Sequence, residues 1–253
     1  MDRCWVYGLL VVGLVAGLSQ SVWAEAVCYD AAGHFDNREG TLEVWFTPLA
    51  KDLYPTPRGD YEHVFSLFEM KVPGVWDMSC SWYARPTRKG LKVSMSSRKM
   101  KDGLIGLLSN TTPQDWKPGE KHHVAMTWKG REMKLFADGL CIAHRVQTIP
   151  FTGPLGDVQL VLGRLNRKSP VVLHAVRMSC VARSDEALKQ AVPQGDLATT
   201  LLDVYDSVPD DPKSTHPQIS SAMSSQPAGR LVEGARWNDK WQGILLDASL
   251  RSQ

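Results

Sequence analysis

The segment 121–146 constrains the fold more than any other stretch of the chain. It reads His122-His123-Val124-Ala125-Met126-Thr127-Trp128, then Lys129-Gly130, then the run 133–137, then Asp138-Gly139, then the run 140–146. The runs are rich in β-branched, aromatic and apolar residues, and a turn pair closes each of the first two, so the pattern predicts three consecutive antiparallel strands. An Asp-Gly pair between such runs favours a type I′ hairpin, because both central residues must reach positive φ. A short ribbon of this kind is marginal alone in water and has to pack against a second layer.

The remaining sequence supplies that layer from the same kind of element. Along 40–48, Leu42, Val44 and Phe46 alternate with Thr41, Glu43, Trp45 and Thr47, a period of two. The run 63–70 is apolar on both sides (Val64, Phe65, Leu67, Phe68, Met70), as expected of a strand covered on both faces. Further strands are expected over 75–84 and 91–97, separated by the Pro86 to Gly90 turn, and over 158–165 and 171–182. Ser184 can cap a short helix whose first turn carries Asp185 and Glu186, a placement that suits the helix dipole. Long amphipathic helices alternating with strands, the mark of an α/β enzyme, do not occur. An all-β, antiparallel two-sheet sandwich with a short helix after the last core strand is the economical solution.

Export is written at the start of the chain. After Met1 to Arg3 an apolar stretch runs from Trp5 to about Leu18, too short and too rich in glycine for a membrane span. Ser19-Gln20-Ser21-Val22-Trp23-Ala24 then offers Val22 and Ala24 at the positions that signal peptidase reads, so residues 1–24 are expected to be a signal peptide. Val27 before Cys28 argues against a lipoprotein. No later segment is long and apolar enough to span a membrane, and the expected location is secreted or periplasmic. A net charge of +2 points neither to nucleic acid nor to an acidic tail. The mature chain keeps Cys28, Cys80, Cys141 and Cys180, which in an exported protein permit one or two disulfides in any of three pairings. They lack the close pairs that hold zinc.

The run Gly40-Thr41-Leu42-Glu43-Val44-Trp45-Phe46-Thr47-Pro48, preceded by Tyr29 and Gly33-His34-Phe35-Asp36, resembles the opening strand of LamG-like (concanavalin A-like) jelly-roll domains. The 122–128 strand followed by Leu135-Phe136-Ala137-Asp138-Gly139 resembles that family's penultimate hairpin. Leu160-Val161-Leu162-Gly163 and the strand-then-helix ending at Ala187-Leu188 match its close. The resemblance covers about residues 27–190 and implies a jelly-roll domain over 25–190, often a carbohydrate-binding module or an extracellular interaction domain. The extension 191–253 has an apolar run (199–205), a Pro-, Ser- and Asp-rich stretch over 206–229 read as a partly disordered loop, then Val232-Glu233-Gly234, Trp237 to Gly243 and Ile244-Leu245-Leu246-Asp247. This order resembles what usually precedes the first long strand of the family. The extension is expected to fold back and add strands to the domain, the alternative being the stub of a second unit.

Catalytic machinery is not legible. Glycosidases need two carboxylates on one strand or on facing strands, and the 40–48 strand carries Glu43 alone. His122 and His123 are consecutive strand residues, expected as one buried and one exposed side chain rather than as a base or a metal pair. No Gly-x-Ser-x-Gly elbow, His-Glu-x-x-His helix or phosphate loop is present. Two features could bind. Arg85, Arg88, Lys89, Lys92, Arg98, Lys99 and Lys101 precede any acid before Asp102, a cluster suited to sulfated or carboxylated polysaccharide or an anionic surface. A solvated edge protected by lysines would have the same composition. Trp76, Trp82, Tyr83 and Trp116 are placed near loops where a ring could stack on a sugar, though a buried ring stabilises by packing alone. Trp45 and Trp128 are expected in the core or on a sheet face. Asp60, Asp138 and Asp157 could each donate to calcium, but no acidic loop gathers them and no metal or other cofactor is predicted. The sequence thus predicts a non-catalytic recognition module for carbohydrate or an extracellular protein partner. A polysaccharide-active enzyme and a purely structural interaction domain remain the alternatives.

Overall fold

The computed structural model describes residues 25–49, 64–72, 76–85, 88–96, 104–109, 116–147, 157–164, 170–189, 192–205, 218–219, 229–232, 235–240 and 242–246. The leader 1–24 and most of the 206–229 linker lie outside the described residues. The strands are β1 (Glu25–Asp30), β2 (Glu39–Pro48), β3 (Val64–Val72), β4 (Trp76–Arg85), β5 (Arg88–Ser96), β6 (Leu104–Ser109), β7 (His122–Lys129), β8 (Glu132–Ala137), β9 (Leu140–Val146), β10 (Gln159–Arg164) and β11 (Val171–Ser179). The helix α1 (Asp185–Lys189) follows, then β12 (Thr199–Val204), β13 (Gln218–Ile219), β14 (Gly229–Val232), β15 (Arg236–Asn238) and β16 (Gly243–Leu245).

These strands form two sheets. The first runs β13-β14-β1-β10-β3-β4-β5-β6; the second runs β15-β16-β11-β2-β7-β8-β9, with β12 also paired to β11. Every pairing is antiparallel. The period of two decides the core. Leu42, Val44 and Phe46 of β2 and Val124, Met126 and Trp128 of β7 share one hydrophobic cluster with Met78, Cys80 and Trp82 of β4 and Leu91 and Val93 of β5. Asp138 (φ 48°) and Gly139 (φ 78°) make the two-residue β8–β9 turn in the left-handed region that a type I′ hairpin requires. Ser184 Oγ accepts the Ala187 amide at 3.2 Å and starts α1.

Strands of the extension belong to both sheets. β12 pairs with β11 from Ala175 to Ser179, and β16 takes the same edge of β11 at Val172 and Leu173. β14 pairs with β1, and β13 with β14. The close approach at β16 needs Gly243, where an added Cβ would collide with the Leu173 carbonyl oxygen and with Val172 Cγ1.

The expected disulfides are absent: none of Cys28, Cys80, Cys141 and Cys180 is in one. Strand order separates the pairs that share a sheet. β10 and β3 lie between Cys28 on β1 and Cys80 on β4, and β2, β7 and β8 lie between β11, which leads into Cys180, and Cys141 on β9. At about 4.8 Å per strand these separations exceed the roughly 7 Å Cα reach of a disulfide. Cys80 lies in the core, whereas Cys141 and Cys180 are exposed.

Candidate functional site

Each sheet has an outer face, and the two differ in what covers them. On the second sheet, the outward residues Thr41, Glu43, Trp45 and Thr47 of β2 and His123, Ala125 and Thr127 of β7 are all buried. Leu188 of α1 packs on Ala125 and Phe136. Beside it, Glu43, with no exposed surface, accepts Arg177 Nε at 2.6 Å and Nη2 at 2.7 Å and lies 3.2 Å from His123 Nε2. The remaining Arg177 nitrogen donates to the carbonyls of Val192 (3.1 Å) and Gln194 (2.7 Å), while Arg183 forks onto Asp196 at 2.7 and 2.8 Å. The segment 192–199 is thereby strapped across the face. Trp45 lies between the His123 ring, stacked at 4.6 Å, and the Arg177 guanidinium at 5.4 Å.

Burial alone would raise the Glu43 pKa, but the His123 and Arg177 hydrogen bonds and charges outweigh it and hold the carboxyl below its usual value. Glu43 is therefore an ionised anchor for two arginines, with no surface open to a substrate. His123 was expected to be one of an inside–outside pair with His122. Both are buried instead, at 7% and 8% exposure, because this sheet is covered on both sides. His174, also on this face, bonds Thr47 Oγ1 through Nε2 at 2.8 Å, and burial together with the Lys121 charge pushes its pKa down to about 4.

The outer face of the first sheet is also covered over β1, β10 and most of β3, where Ala26, Val161, Ser66 and Glu69 are buried, and is of another kind over β4 and β5. In β4, Asp77, Ser79 and Ser81 alternate with the buried Met78, Cys80 and Trp82; in β5, Lys92 and Ser94 alternate with the buried Leu91 and Val93. Register aligns Ser79 with Ser94 and Ser81 with Lys92, and on the other side Glu69 with Ser79 and Lys71 with Asp77. Ser79, Ser81, Lys92 and Ser94 are half-buried and Asp77 is exposed. The hydroxyls of Ser79 and Ser94 lie 3.1 Å apart, and Lys71 Nζ lies 3.2 Å from Glu69. Sites on this lattice repeat at about 4.8 Å across the strands and about 6.8 Å along them. Polar groups on such a grid can engage several hydroxyls of an extended ligand at once.

The predicted site residues separate on this structure. Lys92 belongs to the lattice. Trp82 and Trp116 do not: they are 2% and 6% exposed, their rings pack 5.3 Å apart, and Trp82 is in a strand rather than a loop. Trp116 stacks on His122 and donates Nε1 to Asp138 at 2.9 Å. Asp138 also accepts the His123 amide at 2.8 Å and lies 3.0 Å from His122 Nδ1, so its oxygens fix the hairpin to the preceding strand instead of facing a cation. Trp76, Tyr83 and Arg85 have their backbone in β4, and Arg88 and Lys89 in β5, with side chains outside the described residues. Arg98, Lys99, Lys101 and Asp60 also lie outside them. Asp157 is exposed before β10, and among the described residues no group of three His, Cys, Asp or Glu side chains is placed to hold a metal. The serines were missed in sequence, although Asp77-x-Ser79-x-Ser81 against Met78-x-Cys80-x-Trp82 is a legible two-residue period.

No family model matches the sequence, and no curated protein is similar to it. Solved structures are similar in fold. A candidate carbohydrate-binding protein from Bacteroides ovatus superimposes with a TM-score of 0.52 at 15% identity over 83% of this chain, which spans 58% of that protein's length. The fold is a jelly-roll sandwich. A SAP-like pentraxin of Limulus polyphemus (TM-score 0.44, 11% identity, 68% of this chain and 76% of that one) and the galectin LEC-6 of Caenorhabditis elegans (0.41, 13%, 60% and 89%) are more distant. Among the described residues no helix is long and apolar enough to cross a membrane.

Proposed function

We propose that this chain is an exported, non-catalytic carbohydrate-recognition module that takes its ligand on the outer face of the first sheet, across β4, β5 and the Lys71 end of β3. The observation that carries this reading is the contrast between the faces. The second sheet is closed by α1 and the 192–199 strap, whereas Ser79, Ser81, Lys92 and Ser94 remain half-buried and polar on the first. Half-buried hydroxyls on a rigid lattice are suited to sugars, whose hydroxyls both donate and accept and whose recognition depends on fixed spacing. The Bacteroides ovatus protein of similar fold, itself described as a candidate carbohydrate-binding protein, supports the reading. Export rests on the leader residues, with Ala24 as the cleavage position.

Binding is favoured over cleavage by the charges on the same face. Glu69 and Asp77 are diagonal neighbours on facing strands, but Lys71 stands between them, 3.2 Å from Glu69 and opposite Asp77 in register. The test is a glycan array on the purified chain and on Ser79→Phe and Ser94→Phe, each checked for an unchanged melt. Glycan binding that falls at least tenfold in both variants is the expected result. Glycan binding that survives both intact overturns the assignment to this face.

A further inference from the structure

Among the described residues, exposed cations such as Lys121, Arg131 and Lys189 also lack an ion pair, but Lys92 differs from the other half-buried or buried lysines and arginines in its surroundings. Lys71 is paired with Glu69, Lys129 with Glu39 (3.1 Å), Lys134 with Asp185 (2.8 Å) and Arg38 with Asp36 (2.6 Å), and the two buried arginines hold Glu43 and Asp196. Lys92 is half-buried in the middle of β5, and no carboxylate pairs with it among the described residues. Its cross-strand neighbours in register are Ser81 on β4 and Ser109 on β6, and Ser94 follows two positions along its own strand. Serines at the described positions 81 and 94 can donate to an anion and cannot neutralise a cation.

A half-buried ammonium without a counter-charge has lost part of its hydration and gained no ion pair, an arrangement that favours an anionic ligand. Two positions away in the lattice, Ser79 and Ser94 keep their hydroxyls 3.1 Å apart, beside the cation and on the same face. We infer that Lys92 is the position that reads an oxyanion on the ligand, and that the glycan taken by this face carries carboxylate or sulfate groups. The inference rests on the carbohydrate reading and narrows it to acidic polysaccharide. A lysine supplies a point charge with rotatable donors, so it selects charge more than geometry, and the carboxylate of a uronic acid and a sulfate ester share the chemistry it would recognise.

The test compares three probes, polygalacturonate, dextran sulfate and neutral dextran, against the parent chain, Lys92→Met, Lys92→Arg, Ser94→Phe and the surface control Lys129→Met. Loss of one charge-assisted hydrogen bond corresponds to roughly tenfold or more in affinity. Lys92→Met is expected to weaken one or both acidic polymers by that factor and to leave any dextran binding unchanged, with Lys92→Arg retaining most of the affinity and Lys129→Met all of it. Which acidic polymer responds distinguishes carboxylate from sulfate. Acidic binding unaffected by Lys92→Met, or lowered equally by Lys129→Met, overturns the inference, and the carbohydrate reading then stands if Ser94→Phe still abolishes binding. Binding that Ser94→Phe leaves intact, or no binding to any probe or array glycan, overturns both.

Discussion

Replacing Glu43 by Ala would leave Arg177 buried against Trp45 without its carboxylate, and would also remove the negative charge 3.5 Å from Arg183 Nε. Removing one partner of a buried pair typically costs about 3 to 5 kcal/mol, because the stranded charge keeps its desolvation penalty. Arg183 retains Asp196, so the loss belongs mainly to Arg177. For a chain of this size each kcal/mol moves the melting temperature by about 2 to 4 °C, which gives a fall of roughly 6 to 20 °C for Glu43→Ala. Arg177→Met should cost less, since Glu43 keeps His123 and Arg183 nearby. The paired change Glu43→Leu with Arg177→Met should recover most of the loss by apolar packing, yet it releases the carbonyls of Val192 and Gln194. Faster amide hydrogen exchange over 192–199 at a nearly restored melting temperature is therefore the signature. The pH dependence has a fixed sign: the Glu43 carboxyl titrates lower in the folded chain than in the unfolded one, so its contribution is complete above the usual value of 4.5 and is lost as pH falls through the folded value. A fall of less than about 1 kcal/mol for Glu43→Ala, on the scale set for exposed pairs, would refute the strapped-face account.

His174 titrates at about 4 in the folded chain against an ordinary 6.5, so the unfolded chain binds the extra proton between those values and stability should decline as pH is lowered from 6.5 to 4. Denaturant midpoints measured across that window should show the decline in the parent and a smaller one in His174→Gln. Gly40→Ala drives a Cβ into the Trp128 ring and to 2.9 Å from the Ser179 carbonyl oxygen, so an overpacking loss of about 1 to 3 kcal/mol is expected in chemical denaturation. A thiol reagent with peptide mapping should label Cys141 and Cys180 in the native chain and Cys80 after unfolding alone, since burial pushes the Cys80 thiol far above its usual range.

Much of the sandwich is legible because its central strands carry a strict period of two and end in Gly or Asp-Gly turns. β7 and β8 have that form, and β2 has the period without such a turn. β1 and β6 do not: β1 has a charged residue at each end of six, and β6, Leu104-Ile105-Gly106-Leu107-Leu108-Ser109, interrupts its apolar run with Gly106. The short strands β13 to β16 depend on pairing with β1 and β11, partners far away in sequence, and local pattern says little about such contacts. The expectation of one buried and one exposed side chain at His122 and His123 failed for the same reason, since the cover on the second sheet comes from α1 and residues 192–199. Aromatic residues misled the reading of the site, because Trp82 and Trp116 gain more from burial than from display. The polar alternation of Asp77, Ser79 and Ser81 marks the outward side of β4, and serine is easily passed over as a neutral surface residue.

Backbone amide shift mapping with the best-bound acidic oligosaccharide locates the binding face. The account predicts saturable shifts concentrated on β3, β4 and β5 around Lys71, Ser79, Ser81, Lys92 and Ser94, with the β2 and β7 amides unmoved. Shifts confined to the second sheet or to the 192–199 strap would contradict it.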